Sequence, residues 1–335
     1  MVTLTDWLQK QWYRVSPWHA ALLPLSGLFW LLSTARRTLY RIGGLHSVRL
    51  PVTVIIVGNI SVGGAGKTPL VIWLVNFLET QGYHPGIVSR GYGGSGIGPQ
   101  AVTLQSDAAE VGDEPLLLAQ RCGCPLWIGR DRAAAGQALL VAHPEVDVLV
   151  SDDGLQHYRL RRDMEIAVID GLRGFGNGFL LPAGPLREAA SRLLEVDAVV
   201  VNQPTSAVPP GQYAMYLRGE VFYNLMQPEQ RISAADLTGQ ALHAVAGIGN
   251  PRRFFDHLRG LRLNIIEHAF PDHHVYHVRD LQVGGAILMT EKDAVKCKRW
   301  SLTNCWVLAV NAEIDAGLGQ VVLDKLRKNH GRKIA

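Results

Sequence analysis

Val52-Thr53-Val54-Ile55-Ile56-Val57-Gly58-Asn59-Ile60-Ser61-Val62-Gly63-Gly64-Ala65-Gly66-Lys67-Thr68-Pro69 is the stretch that decides the fold. Residues 52–58 form a β-branched run ended by glycine, which reads as a buried strand. Residues 68–83, TPLVIWLVNFLETQGY, read as a helix closed by Gly82. A glycine-rich loop between strand and helix is the setting of a phosphate-binding loop. The glycines let backbone N–H groups turn inward on phosphate oxygens, Lys67 reaches for the β- and γ-phosphates, and the Thr68 hydroxyl is placed for Mg²⁺. The helix N-terminus adds a favourable dipole. Pro69 suits a first helical turn, where its missing N–H costs little. The head of the loop is Ser61 rather than glycine. Val62 stands where partition-type ATPases carry a second lysine, which argues against that subgroup. A glycine-rich turn without ligand is the alternative, and the Gly66-Lys67-Thr68 triplet in this setting weighs against it.

Outward from this loop, strands and helices alternate. GIVS (86–89), PLWIG (125–129), VDVLVS (146–151), EIAVID (165–170) and DAVVVN (197–202) read as strands. DEPLLLAQRC (113–122) and DRAAAGQALLVAH (131–143) read as helices. Continuous apolar strands alternating with helices indicate a parallel sheet covered on both faces. Gln203 to Gln212 is rich in Pro, Ser and Gly and reads as a linker. The alternation then resumes. HAVAGIG (243–249) precedes a helix from Pro251, and LNIIEHAF (263–270) precedes a His-rich loop. AILMT (286–290) leads into EKDAVKCKRW (291–300), and CWVLAVN (305–311) into a last helix, VVLDKLRK (321–328). The expected class is α/β: a P-loop NTPase-type, mostly parallel sheet domain plus a smaller α/β domain. The expected divisions are membrane-interface helices over 1–45, the nucleotide domain over 46–205, a linker over 206–225 and the second domain over 226–335.

The N-terminus reads as a membrane contact. Residues 18–32, WHAALLPLSGLFWLL, are fewer than the roughly 20 apolar residues of a spanning helix, and Pro24 and Gly27 interrupt them. Upstream, Leu4, Trp7, Leu8 and Trp12 share one helical face, with Lys10 and Arg14 elsewhere. Downstream come Arg36, Arg37 and Arg41. A pair of helices lying among lipid headgroups fits this pattern. A signal peptide, a short spanning anchor and a helix buried in the protein's own core are the alternatives. A signal peptide is disfavoured because the loop that follows needs cytosolic nucleotide.

Composition sets the remaining bounds. The chain has 335 residues, 47% of them hydrophobic and 19% charged, which excludes a wholly disordered or collagen-like chain. The formal charge of +4 is too small to argue for nucleic acid. Four cysteines, Cys122, Cys124, Cys297 and Cys305, fit neither a disulfide scaffold nor a zinc ribbon.

Further candidates stand at the ends of the expected strands. Asp152-Asp153-Gly154-Leu155-Gln156-His157 ends a strand, where a Mg²⁺-organising carboxylate belongs beside a P-loop. Ser89-Arg90-Gly91-Tyr92-Gly93-Gly94 offers a cation, a hydroxyl and flexible backbone, or merely a solvated turn. Val111-Gly112-Asp113-Glu114-Pro115 opens a helix, with Asp113 as cap or base. Leu181-Pro182-Ala183-Gly184-Pro185-Leu186-Arg187-Glu188 either carries Arg187 and Glu188 to the phosphates or only turns the chain. Thr290-Glu291-Lys292-Asp293 reads as a capping segment. His268, His273, His274 and His277 cluster in and around Pro271-Asp272-His273-His274. A metal site and a solvated loop are open readings there, but no third and fourth ligand stands at suitable spacing, so a general base is preferred.

In order along the chain, these motifs, together with Gly247-Ile248-Gly249-Asn250-Pro251, resemble those of the tetraacyldisaccharide 4′-kinase family of lipid A biosynthesis. The resemblance runs from the N-terminal segment to about residue 312. Ser61 at the head of the loop fits that family's pattern. The resemblance implies transfer of the γ-phosphate of ATP to the 4′-hydroxyl of a tetraacylated glucosamine disaccharide 1-phosphate. It implies peripheral or monotopic attachment at the cytoplasmic face of the bacterial inner membrane. It also implies two α/β domains closing about a hinge. The nucleotide set is then Gly63, Gly64, Ala65, Gly66, Lys67 and Thr68, with Mg²⁺ held by Thr68, Asp152, Asp153 and Glu188. Lys67, Asp113 and His273 are the implied catalytic residues, with His274 the alternative histidine. Arg90, Tyr92, Gln156, His157 and Arg187 are the implied substrate contacts. The lipid and the membrane surface are the implied partners, with no nucleic acid and no obligate protein partner.

Two other classes use the same loop. A GTPase or assembly ATPase is weakened by the lack of an Asn-Lys-x-Asp guanine-reading motif. A non-catalytic membrane adaptor with a vestigial loop is weakened by the intact Gly-Lys-Thr and Asp-Asp.

Overall fold

The decisive stretch folds as strand, loop and helix. In the computed structural model, which describes residues 11–96 and 98–333, β1 (Thr53–Gly58) is buried along its whole length. Ile55 and Val57 enter the core on one face of the sheet, Val54 and Ile56 the core on the other. That two-sided burial is why the run is continuously apolar rather than alternating. Each such side chain contributes about 1.5–3 kcal/mol by leaving water. Beyond the loop, α2 (Lys67–Thr80) packs Leu70, Leu74 and Leu78 into the first of these cores.

The rest of the first sheet is built around β1. In chain order come β2 (Pro85–Ser89), β3 (Gln100–Val102), β4 (Leu126–Ile128), β5 (Val148–Asp152), β6 (Met164–Asp170), β7 (Ala198–Asn202) and β8 (Gln212–Arg218). The spatial order is β15-β8-β7-β6-β1-β5-β2-β4-β3, where β15 (Asn311–Ile314) comes from near the C-terminus. All neighbours pair in parallel except the two edge strands, β3 on β4 and β15 on β8. Helix α3 (Asp113–Arg121) shares the face of α2, and α4 (Arg132–Ala142) covers the other.

The second sheet has the order β10-β9-β14-β13-β11-β12. Its strands are β9 (Val221–Asn224), β10 (Arg231–Ser233), β11 (Leu242–Ala246), β12 (Ile265–Ala269), β13 (Ala286–Thr290) and β14 (Cys305–Leu308). Helix α5 (Pro251–Gly260) packs Phe254, Phe255 and Leu258 on one side, and α6 (Glu291–Cys297) packs Ala294 and Cys297 on the other.

The stretch 206–225, expected as a linker, carries β8 in the first sheet and β9 in the second. After β14 the chain crosses back, adds β15 and ends in α7 (Ala316–Lys333). Leu318, Val322 and Leu326 of α7 lie in the core beneath β1. The two crossings run side by side: a Cβ on Gly219 would stand 2.7 Å from the Ala309 carbonyl oxygen.

The N-terminal apolar stretch is one helix, α1 (His19–Arg41), continuous through Pro24 and Gly27. Leu4, Trp7, Leu8 and Lys10 of the expected upstream helix lie outside the described residues. No helix among the described residues is long and apolar enough to cross a membrane. Leu23, Leu25, Leu28, Trp30, Leu31 and Leu32 are exposed along α1. Its buried side is polar. Ser26 Oγ donates to the Leu180 carbonyl at 2.9 Å and accepts the Ala183 N–H at 3.1 Å. Trp12 Nε1 donates to the Pro182 carbonyl at 3.0 Å. The N-terminal segment is therefore fastened to loop 177–187, which leads to Arg187 and Glu188. The expected cationic flank is partly committed to the protein, because Arg37 and Arg41 both pair with Glu195.

Candidate active site

Four strand ends converge at the carboxyl edge of the first sheet, where a doubly covered parallel sheet takes its ligands. β1 delivers the glycine loop, β5 delivers Asp152 and Asp153, β6 delivers Asp170 and β7 delivers Asn202. Gly66 needs its lack of a side chain twice over. Its φ is +95°, and a Cβ there would fall 2.3 Å from Asn202 Nδ2. Asn202 Nδ2 in turn donates to the Ala65 carbonyl at 2.9 Å, holding the loop from beneath.

Lys67 Nζ donates to Asn59 Oδ1 at 3.3 Å and lies 3.5 Å from Asp153 Oδ1. Arg187 reaches both oxygens of Asp153 at 3.3 Å and Gln156 Oε1 at 3.3 Å. Burial works against the Asp153 charge, but Lys67 and Arg187 outweigh it and hold its carboxyl down at about 2. Asp152 is placed differently. It is fully buried, Ser89 Oγ donates to its Oδ2 at 3.3 Å, and its Oδ1 has no partner among the described residues. Desolvation, with Glu114 nearby, pushes it up to about 7. Two adjacent carboxylates thus have opposite characters, one ion-paired and one held ready for a cation.

Gln156 Nε2 donates to the Asn59 carbonyl at 3.1 Å and to Glu188 Oε2 at 2.9 Å. Tyr158 donates to the other oxygen of Glu188. His157 is aimed elsewhere: its Nε2 receives the Arg132 N–H at 3.3 Å at the start of α4. Burial and the neighbouring Arg132 push it down to about 4, so it is neutral near pH 7.

The second sheet closes over this edge. His273 follows β12 in the left-handed conformation, φ 58°. Its Nδ1 lies 3.1 and 3.0 Å from the two oxygens of Asp113 at the start of α3. Asp113 is only 5% exposed. Burial pushes its carboxyl up, but the bond to His273 and the ammonium groups of Lys292 and Lys296 win and hold it below the ordinary value. The same bond raises His273 above the ordinary imidazole value against its own burial. His274 faces inward, 3.2 Å from Asp280 and stacked on Phe270. The Tyr92 ring stands 5.2 Å from the His273 ring, and Arg90 lies over Tyr92.

The Gly247–Pro251 loop rests on the phosphate loop, where a Cβ on Gly249 would stand 3.4 Å from Gly64 N. Arg173 donates to the Gly249 carbonyl at 2.9 Å, and Arg253 reaches back to Asp170 at 2.8 Å. Sequence reasoning did not single out Asn202, Arg173 or Arg253. Asn202 ends an apolar strand at the ligand edge, a position that points to it; the two arginines carry no such local signal.

Among the described residues no group of three or more His, Cys, Asp and Glu side chains forms a metal cage. The lone buried Asp152 Oδ1 beside a phosphate loop is instead what Mg²⁺ requires, since that ion takes one or two carboxylates and completes its shell with phosphate and water.

Comparisons of sequence and of fold point to one family. The family model described as tetraacyldisaccharide-1-P 4′-kinase matches residues 18–327. The tetraacyldisaccharide 4′-kinase of Methylobacillus flagellatus is 52% identical, over 97% of each chain. That of an Azoarcus species is 51% identical, over 96% of this chain and 95% of its own. The crystal structure of LpxK from Aquifex aeolicus in complex with ATP superimposes with a TM-score of 0.80 at 29% identity, covering 92% of this chain and 99% of that one.

Proposed function

The chain belongs to the tetraacyldisaccharide-1-P 4′-kinase family, and from that premise we propose how its residues carry out the reaction. The protein is a kinase of lipid A biosynthesis. It transfers the γ-phosphate of ATP to the 4′-hydroxyl of a tetraacylated glucosamine disaccharide 1-phosphate. The observation that carries the mechanism is the Asp113–His273 pair beside the phosphate loop: a Cβ on Gly249 would stand 3.2 Å from Oδ2 of the adjoining Asp272 and 3.4 Å from Gly64 N.

In our reading the loop amides, Lys67 and Arg187 hold the polyphosphate. Asp152 Oδ1 and the Thr68 hydroxyl would hold Mg²⁺, with Asp153 on the far side of the same turn. An ion held there would supply charge neutralisation to the polyphosphate. Glu188, whose two oxygens already serve Tyr158 and Gln156, supports this set by fixing Gln156 against the Asn59 carbonyl. Asp113 accepts the proton-bearing Nδ1 of His273, leaving Nε2 as the base. The sugar oxygen attacks the γ-phosphorus, its proton passes to Nε2, and the bond to the β-phosphate oxygen breaks to release ADP. Arg90 and Tyr92 lie on the acceptor side of His273 and fit the sugar headgroup.

The two sheets form two lobes whose paired crossings, at Gly219 and Ala309, act as the hinge. Base and phosphate loop belong to different lobes, so closure both assembles the site and excludes water. The exposed apolar face of α1 rests in the headgroup region at the cytoplasmic side of the inner membrane. Lipid acyl chains stay in the bilayer, at about 0.8 kcal/mol per buried CH₂, so the enzyme comes to them. A transfer assay with γ-labelled ATP, Mg²⁺ and the tetraacyl disaccharide 1-phosphate tests the mechanism. Label moves to the lipid with the native protein and not with Lys67→Ala. Label released only as free phosphate would instead indicate a hydrolytic switch.

A further inference from the structure

The segment Thr290–Asp293 caps a helix, as its sequence suggests: Thr290 Oγ1 receives the Asp293 N–H at 3.2 Å. Lys292 does something its sequence does not suggest. Its Nζ donates to Glu114 Oε1 at 3.0 Å and to Asp272 Oδ1 at 3.2 Å. Glu114 immediately follows Asp113, and Asp272 immediately precedes His273. One ammonium, only 16% exposed, therefore grips the chain neighbour of each member of the base pair, one in each lobe.

The grip on Asp272 has a further consequence. Asp272 Oδ1, the atom that Lys292 holds, also receives the His273 N–H at 3.1 Å. His273 is left-handed, a conformation that costs a non-glycine residue about 1–2 kcal/mol. Such a residue stays in place only when its surroundings over-determine it. The ammonium fixes the carboxylate, the carboxylate fixes the turn, and the turn aims the imidazole at Asp113. We propose that Lys292 is the positioning residue that holds Asp113 and His273 in register across the cleft. The proposal rests on reading that pair as the base.

Lys292 is one of several ties between the lobes. Its neighbour Glu291 makes a separate tie, to Arg121 of α3 at 2.6 Å, and Arg121 also donates to the Val310 carbonyl. Loss of Lys292 should therefore loosen the base rather than open the enzyme. The charged and titratable groups around the His273 ring are Asp113 from α3, Asp272 from its own loop, Lys292 from α6 and Tyr92 from the loop after β2. Lys296 faces the pair from behind Asp113, at 3.9 Å. Lys292 opposes the imidazolium that Asp113 favours.

The test uses the full chain with ATP, Mg²⁺ and lipid acceptor in mixed micelles, comparing Lys292→Met, Lys292→Arg, His273→Ala and the double variant Lys292→Met with His273→Ala. Lys292→Met should lower kcat by roughly tenfold or more, the scale of a misplaced catalytic group, with both KM values within about threefold. The acid limb of its kcat profile should move to higher pH, and Lys292→Arg should recover most of the rate. In the His273→Ala background the same change should cost less than about twofold, because a positioning residue has nothing left to position. An equal loss in that background, a rise confined to KM or an unmoved acid limb would overturn the proposal. An unchanged rate in His273→Ala by itself would overturn the base reading, which is a separate result.

Discussion

His273 Nδ1 stands 3.0 Å from Asp113 Oδ2, although 160 residues separate the two along the chain. Asp113 opens a helix under the first sheet, and His273 lies in the loop after a strand of the second. Neither can make this contact without the other lobe in place. On the proposed reading, the base is assembled only in the closed enzyme, which limits wasteful transfer to water.

Removal of either partner should then cost the rate of transfer. His273→Ala and Asp113→Ala are each expected to lower kcat about 100-fold or more, within the usual range for general bases. Steady-state kinetics with lipid acceptor checks this; values within a factor of two of native would falsify the assignment.

The pH dependence has a definite sign. If neutral His273 is the base, as proposed, kcat falls as pH drops through its raised pKa. The imidazolium is the form that Asp113 stabilises. That stabilisation is complete below the ordinary imidazole value and is lost as pH rises through the raised one. The contact is thus tightest where catalysis is off. Asp113→Asn should shift the acid limb of kcat to lower pH, measured by rate profiles of both proteins.

Gly66→Ala places a methyl 2.3 Å from Asn202 Nδ2 at a φ of +95°. The phosphate loop cannot keep its shape around that group. ATP affinity by calorimetry should fall by at least about tenfold while the far-ultraviolet circular dichroism spectrum stays native. Unaltered affinity would mean that the loop binds in another conformation.

Ser26→Ala strands the Ala183 N–H, while the Leu180 carbonyl keeps the bond it accepts from the Gly184 N–H. An unsatisfied buried group costs about 1–3 kcal/mol. We expect a melting temperature several degrees lower, together with weaker ATP binding, since loop 177–187 also pairs with the phosphate loop through Ser61 and Leu186. A native melting curve would show that water replaces the hydroxyl.

Leu28 and Leu31 are 52% and 57% exposed on α1 and touch no core. Changing both to Glu should release the protein from vesicles in sedimentation assays. The KM for lipid should rise several-fold while that for ATP stays level, because apolar area on an interfacial helix sets its membrane affinity. Equal effects on both KM values would place the helix in folding rather than in lipid delivery.

Much of the interior was legible from local pattern. β1, β2, β5, β6 and β7 are buried on both faces, so each leaves an unbroken apolar run. The strands that sequence reading passed over are β3, β8, β9, β10 and β15. They are short or half exposed, and several pair only at sheet edges, so their residues need not be apolar. Pro24 and Gly27 suggested a break in α1 that the helix does not make. Pro24 is the sixth residue of that helix and lacks one N–H donor, a loss that the helix carries without ending.

The candidate site divides in the same way. By itself the sequence determined the phosphate loop, the paired aspartates at the end of β5 and the family, because strand–loop–helix geometry depends on residues within a few positions of one another. Tertiary structure alone decided that His273 rather than His274 meets Asp113, and that Lys292 spans Glu114 and Asp272. It also decided that His157 turns away to α4 and that the chain recrosses to add β15 and α7 to the first sheet. Those outcomes depend on which surfaces meet when elements and lobes pack. Burial and charge pairing between groups from 20 to 178 residues apart leave no period in the chain to read.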